Sequence, residues 1–361
     1  MEQYRPETIF IEKEAQDKEL TRVILGNLPG VPVEYIEDPQ DALGRVAKAQ
    51  DPISDGKKLL LITNHPGTFV KKCPGTKIHI CCNYYVINAA TNCPLECSYC
   101  ALQGYLENNP LMRVFANTGD MLNEITRFLD ANRERSYRLG TGELADSLVL
   151  DNITGFTRDI VPFFARQKNA VLELKTKTDL VDNLIGLDHG DRVIVSWSLS
   201  PQRVIDEDEA ETPSLARRLK AARRCQDAGY QLGFHFDPII IYPDWEKEYR
   251  GVVDQLFAVV DPLRVSWISL GGFRYYPLLK RIIRRRFPRS KILCGEFVPC
   301  ADGKLRYLKH IRVEAYRKLL DRIKGFCPKI PVYLCMETKE VWERVFGYTP
   351  DTERSLDFLF G

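Results

Sequence analysis

The stretch TNCPLECSYCALQGYL, Thr91 to Leu106, decides the reading of this chain. It sets Cys93, Cys97 and Cys100 in a Cys-x3-Cys-x2-Cys spacing directly after an apolar run, YYVIN at 84–88. Thiolates are soft donors that bind zinc or iron–sulfur clusters. A structural zinc site takes four protein ligands, and no fourth stands nearby. A [4Fe-4S] cluster held by three cysteines leaves one iron open to a ligand from outside the chain. Zinc with a remote fourth ligand and a chance grouping of buried thiols are the plainer readings of the same residues.

Working outward, apolar or alternating runs rich in β-branched and aromatic residues recur at 137–141, 170–176, 192–198, 231–238 and 264–270. Helical stretches lie between them. Met121, Ile125, Phe128 and Leu129 fall on one helical face. Another helix opens at Thr212-Pro213 and ends before Gly229. Six strands alternating with helices imply a parallel sheet, barrel-like or doubly wound. Only a barrel gathers every strand end around one mouth, where such folds place chemistry. Upstream, a strand at Thr8–Ile11, a helix at Asp17–Leu25 and a strand at Leu59–Ile62 form a small α/β segment. Downstream, Asp302-Gly303 within CADGKLRY (300–307) signals a hairpin. A helix at about 312–325, a short strand in PVYLC and a polar helix follow.

The bulk numbers set bounds. The chain has 361 residues, a formal net charge of +2 and 11 cysteines. The odd, clustered cysteine count argues against a disulfide framework and for reduced thiols or metal ligands in a cytoplasm. No run reaches the ~20 apolar residues of a membrane span, and the N-terminus does not read as a signal peptide. A polyanionic partner would have to be met by a local patch rather than by overall charge.

The cysteine spacing, in a loop after the first strand, resembles the radical SAM superfamily. The resemblance implies a partial (β/α)6 TIM-like barrel, a [4Fe-4S] cluster on Cys93, Cys97 and Cys100, and S-adenosyl-L-methionine (SAM) on the open iron. Gly140-Thr141-Gly142-Glu143, at the end of the second strand, resembles the superfamily's glycine-glycine-glutamate motif. Glycines permit close backbone approach, and a carboxylate pairs with an ammonium. The same four residues also read as a plain turn with a helix-capping acid. Lys177, Ser198, His235 and Asp237 fall at the ends of strands three, four and five. They suit a site that grips a zwitterion and a ribose, while a surface or turn role competes for each.

Further segments narrow the likeness. CPGTKIHICC, CSYCALQGYL, NPLMRVFAN (109–117), KTKTDLVD (175–182), SLSPQRVID (198–206) and AGYQLGFHFDPI (228–239) resemble the spore photoproduct lyase family from about Lys71 onward. The implied division is an α/β extension at 1–70, the barrel at 71–290 and a C-terminal region at 291–361. The implied activity is that of a DNA repair lyase. A 5′-deoxyadenosyl radical abstracts hydrogen from a UV-induced pyrimidine lesion, either the spore photoproduct or a related 6-4 or Dewar adduct. Lys177 and Ser198 match positions that contact SAM in the family. Two departures stand out. The family's hydrogen-returning cysteine aligns with Glu143, and a carboxylate has no weak X–H bond to give. Tyr99 is kept before the last cluster cysteine, but Ala101 follows it where the family has a second tyrosine. Tyr99 and Glu143 are the candidate catalytic residues. Three explanations stay open: the product radical takes hydrogen back from 5′-deoxyadenosine, another thiol replaces the missing one (Cys225, Cys294, Cys300 and Cys335 are unplaced candidates), or the lesion is one whose repair needs no such donor.

For the DNA partner, no acidic residue occurs between Asp261 and Glu296, while nine basic ones do. Arg284 and Arg285 lie on a helical stripe able to neutralise phosphates. Lys304, Arg306 and Tyr307 of the hairpin combine charge with an aromatic platform, resembling the family's DNA-wedging hairpin. The acidic run Asp206–Glu211 would repel a DNA backbone and is expected away from it. An electron donor such as flavodoxin or ferredoxin is implied, and a monomer is expected. The rivals are a radical SAM enzyme acting on a peptide or small molecule, and a non-enzymatic zinc protein that binds nucleic acid.

Overall fold

A computed structural model describes residues 3–75 and 78–350. Thr76 and Lys77 of the CPGTKIHICC segment, and the end of the C-terminal region at 351–361, lie outside the described residues. Seven parallel strands form the main sheet: β1 (Tyr85–Ile87), β2 (Tyr137–Gly140), β3 (Ala170–Thr176), β4 (Val193–Ser198), β5 (Gln231–Ile239), β6 (Val265–Gly272) and β7 (Val332–Leu334). They pair in chain order, and Val70–Lys72 adds an antiparallel edge beside β1. The six expected runs are the first six strands. The PVYLC strand of the tail becomes the seventh, hydrogen-bonded to β6.

The sheet is strongly curled, a half-barrel. Arg138 on β2 donates to the Tyr333 hydroxyl on β7 at 3.1 Å. In a flat sheet those strands would stand about 24 Å apart, at ~4.8 Å per strand. Helices cover the outer face and make the strands' outward residues apolar, so β4 is buried along its whole length. The helix Thr118–Asp130 lays Met121, Ile125 and Leu129 on that core. The helix expected from Thr212-Pro213 runs Leu215–Asp227. Its cap is Ser214, whose hydroxyl accepts from the Arg217 amide, so Pro213 lies just outside the helix. Between β3 and β4 the connection holds only a three-residue 3-10 turn, Asp182–Leu184.

The N-terminal segment builds a second sheet, ordered Val33–Ile36, Thr8–Glu12, Leu59–Thr63, Met112–Phe115 and Ala90–Thr91. Its last two strands flank the three-cysteine loop. Its apolar core, including Ile9, Ile24 and Leu60, continues into Leu95 and Cys97. The expected hairpin is present as Phe297–Pro299 paired with Leu305–Tyr307, with Gly303 at φ +76° in the turn, and Arg274–Tyr275 adds a third strand. Among the described residues no helix is long and apolar enough to cross a membrane.

Candidate active site

The three-cysteine loop is held from four directions. Asn92 takes a left-handed conformation at φ +69°, accepts from the Cys93 amide at 2.8 Å and donates to the Pro110 carbonyl at 2.5 Å. Glu96–Cys97 pairs antiparallel with Glu209–Ala210. The Ser98 amide and hydroxyl both donate to Asp208, at 2.9 and 2.5 Å. The Gln103 amide group donates to the carbonyls of Cys97 and Ser98, each at 3.0 Å. Arg286 fixes Gln103 in turn. It also donates to Asp51 at 2.8 Å, Ser54 at 2.7 Å and Glu96 at 2.8 Å. Lys57 completes the clamp on the Leu95 carbonyl at 2.6 Å.

Two of these anchors carry different roles in the sequence reading. The acidic run 206–211, read as a stretch that repels DNA, also has a structural part: Asp208 and Glu209 are buried and hold the loop. Glu209 accepts from Arg218 at 2.5 Å, Ser200 at 2.9 Å and the Tyr99 hydroxyl. Lys177 and Arg218 outweigh its burial and hold its carboxyl down at about 2. Arg286, one of the nine cations of the basic stretch, has a side chain only 3% exposed. The signal for both is three-dimensional; neither shows in local sequence.

Two cavities open at the C-terminal ends of the strands. One, of about 790 Å³, is lined by Cys93, Cys97, Cys100, Lys177 and Ser198. The other, of about 510 Å³, has Arg138, Glu173 and His235 in its wall. They share Tyr99, Gly142, Glu143, Lys175, Asp237 and Lys304. Among the described residues no three His, Cys, Asp or Glu side chains converge on one point as a single metal ion requires. Ligands to separate irons of one cluster need only face a common space, and the three cysteines do. The Leu95 amide points at the Cys93 sulfur, while burial pushes the Cys93 thiol up to about 12 and Cys97 well up. Thiolates there need a cation beside them, and bound iron is one. The residues therefore fit a cluster better than a lone zinc.

The other candidates divide. Glu143 is exposed at the shared rim and makes no hydrogen bond or ion pair with the described residues. Gly142 is needed for space: a Cβ there would meet the Lys175 Cβ at 2.7 Å. Gly140 lines neither cavity. A Cβ on it would strike Tyr84 and the Glu173 carbonyl oxygen, so its role is close strand packing rather than approach to a ligand. Asp237 is engaged with Arg274 at 2.9 and 3.1 Å. His235 lines the smaller cavity and not the cysteine-lined one. There Glu173 gathers Arg138 at 2.6 Å, Ser196 at 2.6 Å, His235 Nε2 at 2.8 Å and Trp267 at 3.2 Å. His235 Nδ1 meets the Ser269 hydroxyl at 2.6 Å. Those partners assign the neutral tautomer with the proton on Nε2, and burial lowers the imidazole pKa to about 4.

The DNA candidates also divide. Arg284 and Arg285 are exposed on the helix Pro277–Arg286. Arg306 and Tyr307 do not form an exposed platform. Arg306 is bonded to Asp302 at 2.5 and 2.7 Å, and Tyr307 is stacked on Phe297 and accepts from the Ile241 amide at 3.1 Å. Lys304, in the turn just before the strand Leu305–Tyr307, points inward into both cavities. Of the thiols left open, Cys335 lines the smaller cavity, joined there by Cys82 and Cys73. Cys225 lies in the core, Cys294 is exposed, and Cys300 faces the Val298 carbonyl.

Fold and site together define a class: α/β half-barrel proteins whose mouth is capped by a three-cysteine loop. The family model for spore photoproduct lyase matches residues 71–310. The chain belongs to the spore photoproduct lyase family. It is 29% identical over 210 residues to the spore photoproduct lyase of Geobacillus sp. (strain Y412MC61), covering 58% of this chain and 62% of that one. To the Bacillus subtilis (strain 168) enzyme it is 28% identical over 214 residues, covering 59% and 63%. The aligned part is thus under two thirds of these relatives' length. In three dimensions it matches a spore photoproduct lyase variant at TM-score 0.82 and 22% identity, over 92% of this chain and 99% of that one. A further variant, solved with bound AdoMet and dinucleoside spore photoproduct, matches at TM-score 0.81, 22% identity and the same coverage. At that identity the likeness is one of fold.

Proposed function

We propose that this chain is a radical SAM lyase acting on a UV-induced pyrimidine photolesion in DNA, the spore photoproduct or a related thymine adduct. The observation that carries the reading is the pair of adjoining cavities, one faced by three cysteines and the other large enough for a flipped-out lesion. On this reading Cys93, Cys97 and Cys100 hold three irons of a [4Fe-4S] cluster. Bound there with S-adenosyl-L-methionine, the cluster would supply the one electron that breaks the cofactor's carbon–sulfur bond into methionine and the 5′-deoxyadenosyl radical that abstracts hydrogen.

The chain's own residues do the rest. Glu143, free at the rim, accepts the ammonium of the amino-acid moiety; Lys177 and Ser198 face the same space from the barrel side. Tyr99, tied to Glu209, is a rigid wall between the two cavities. The Arg138–Glu173–His235 network gives the lesion cavity a fixed, nearly neutral wall that need not reorganise as the reaction proceeds. With Glu143 in place of a thiol, hydrogen return falls to Cys335, Cys82 or Cys73. Cys335 is the best prepared, since its sulfur accepts from Arg274 at 3.5 Å and burial keeps the thiol protonated. Arg284 and Arg285 meet phosphates of the duplex, and an electron donor such as flavodoxin or ferredoxin reduces the cluster.

Extrusion of a damaged step costs less than that of a sound one, which favours lesion capture in so enclosed a site. The test is anaerobic turnover of the reconstituted protein with UV-irradiated oligonucleotides carrying separated photoproducts. Loss of one photoproduct together with 5′-deoxyadenosine formation is expected. A protein that holds zinc and never cleaves SAM overturns the reading.

A further inference from the structure

The smaller cavity carries an excess of positive charge. Arg138 is matched by Glu173 at 2.6 Å and Arg274 by Asp237 at 2.9 Å. Two ammonium groups remain, against one further carboxylate at the rim, Glu143, which the photolesion reading gives to the cofactor's ammonium. Lys175, on β3 midway between Glu173 and Lys177, is tied to Ser147 through its backbone, but its ammonium makes no hydrogen bond or ion pair with any described residue. Lys304 is 8% exposed, and among the described residues its Nζ meets the Met336 sulfur at 3.5 Å and the Tyr276 ring at 5.1 Å and no carboxylate. A thioether and a ring face are poor compensation for a buried ammonium. Both lysines line the space shared by the two cavities. The smaller cavity is otherwise walled by aromatic rings, among them Tyr84, Tyr105, Phe273 and Tyr276. The Tyr84 hydroxyl is buried and faces the Gly142 amide, and its proton finds no acceptor among the described residues. A ligand suited to this wall has flat rings for the aromatic faces, a carbonyl for Tyr84 and one anionic group for the lysines. Two pyrimidines joined by a phosphodiester have all three.

We propose that Lys175 and Lys304 hold the phosphodiester that links the two nucleosides of the lesion, so that the site reads a dinucleotide rather than a pair of joined bases. The proposal rests on the photolesion reading and adds the part of the substrate that the lysines recognise. Charge-assisted hydrogen bonds to a phosphate are strong, and two of them favour the linked form by on the order of tenfold or more.

The experiment measures binding of two probes to the reconstituted protein by calorimetry: the photoproduct as a dinucleotide with its internal phosphate, and as a dinucleoside without it. The wild type is expected to prefer the dinucleotide. In Lys175→Met with Lys304→Met the ratio of the two affinities falls toward one, and the Lys→Arg versions restore much of it. Iron content and circular dichroism confirm that each variant is folded. Equal affinities in the wild type, or a ratio that survives the double substitution, overturn the proposal while leaving the lesion reading intact. Binding of neither probe overturns both. A loss confined to SAM affinity assigns the lysines to the cofactor's carboxylate and overturns the phosphate role.

Discussion

Replacing Arg286 by methionine tests whether the three-cysteine loop is held from outside the barrel. The guanidinium is 3% exposed and serves Asp51, Ser54, Glu96 and Gln103 at once. Breaking a buried pair by removing one partner costs about 3–5 kcal/mol. The lower end applies here. Glu96 keeps Lys57 at 3.3 Å, and Asp51, whose side chain is 34% exposed, can recover water. A loss of about 3 kcal/mol is a large share of the ~5–15 kcal/mol that holds a typical domain together. The damage is directed, because Gln103, freed from Arg286, no longer fixes the carbonyls of Cys97 and Ser98. Urea unfolding followed by circular dichroism reads the stability. Iron and sulfide per chain after anaerobic reconstitution read the loop. Arg285→Met, on the exposed neighbour, is the control and should stay within about 0.5 kcal/mol of wild type. If Arg286→Met matches that control in both stability and iron content, the clamp is not what positions the cysteines.

Cys97→Ala should lower iron retention and abolish SAM cleavage, read by iron assay and chromatography of 5′-deoxyadenosine. His235 gives a pH signature. Its folded pKa is lowered to about 4, so as pH falls below ~6.5 the unfolded chain takes up the proton first. Stability should therefore decline between pH 6.5 and 4, by at most about 3 kcal/mol, and His235→Gln should flatten that slope in urea melts. Charge reversal at Arg284 and Arg285 should weaken duplex binding and reduce the salt slope by about 2; an unchanged slope in fluorescence anisotropy removes the stripe from the interface. Cys335→Ala should abolish solvent-deuterium entry into the repaired base, measured by mass spectrometry, whereas unchanged label moves the donor role to Cys82 or Cys73.

Much of this was legible in the sequence because its causes are local. Strands β1–β6 are short apolar runs that a two-sided parallel sheet requires, and the Cys-x3-Cys-x2-Cys spacing is set within eight residues. The hairpin followed from Asp302-Gly303. What stayed hidden depends on distant partners. Arg286 looked like one more cation until Asp51, 235 residues away, and Glu96, 190 away, closed around it. Asp208 and Glu209 read only as charges that would repel DNA until Ser98 and Tyr99, each 110 residues away, met them. Lys304, Arg306 and Tyr307 lie in one hairpin arm, Lys304 just before its strand, and signal charge with aromaticity. Which way each points depends on the strand's register against its neighbours, and that register sends Lys304 inward and buries the other two. Cys335 became a cavity thiol only through the pairing of β7 with β6, which no periodicity announces.

The strands Ala90–Thr91 and Met112–Phe115 stitch the cysteine segment into the N-terminal sheet on both of its sides. A shortened version beginning at the half-barrel would lack the floor on which the inorganic cargo is to rest. The remaining fasteners, at 208–209 and 286, emerge from the ribosome well after the thiols do. The thiol segment therefore cannot reach its final arrangement until most of the polypeptide has been made.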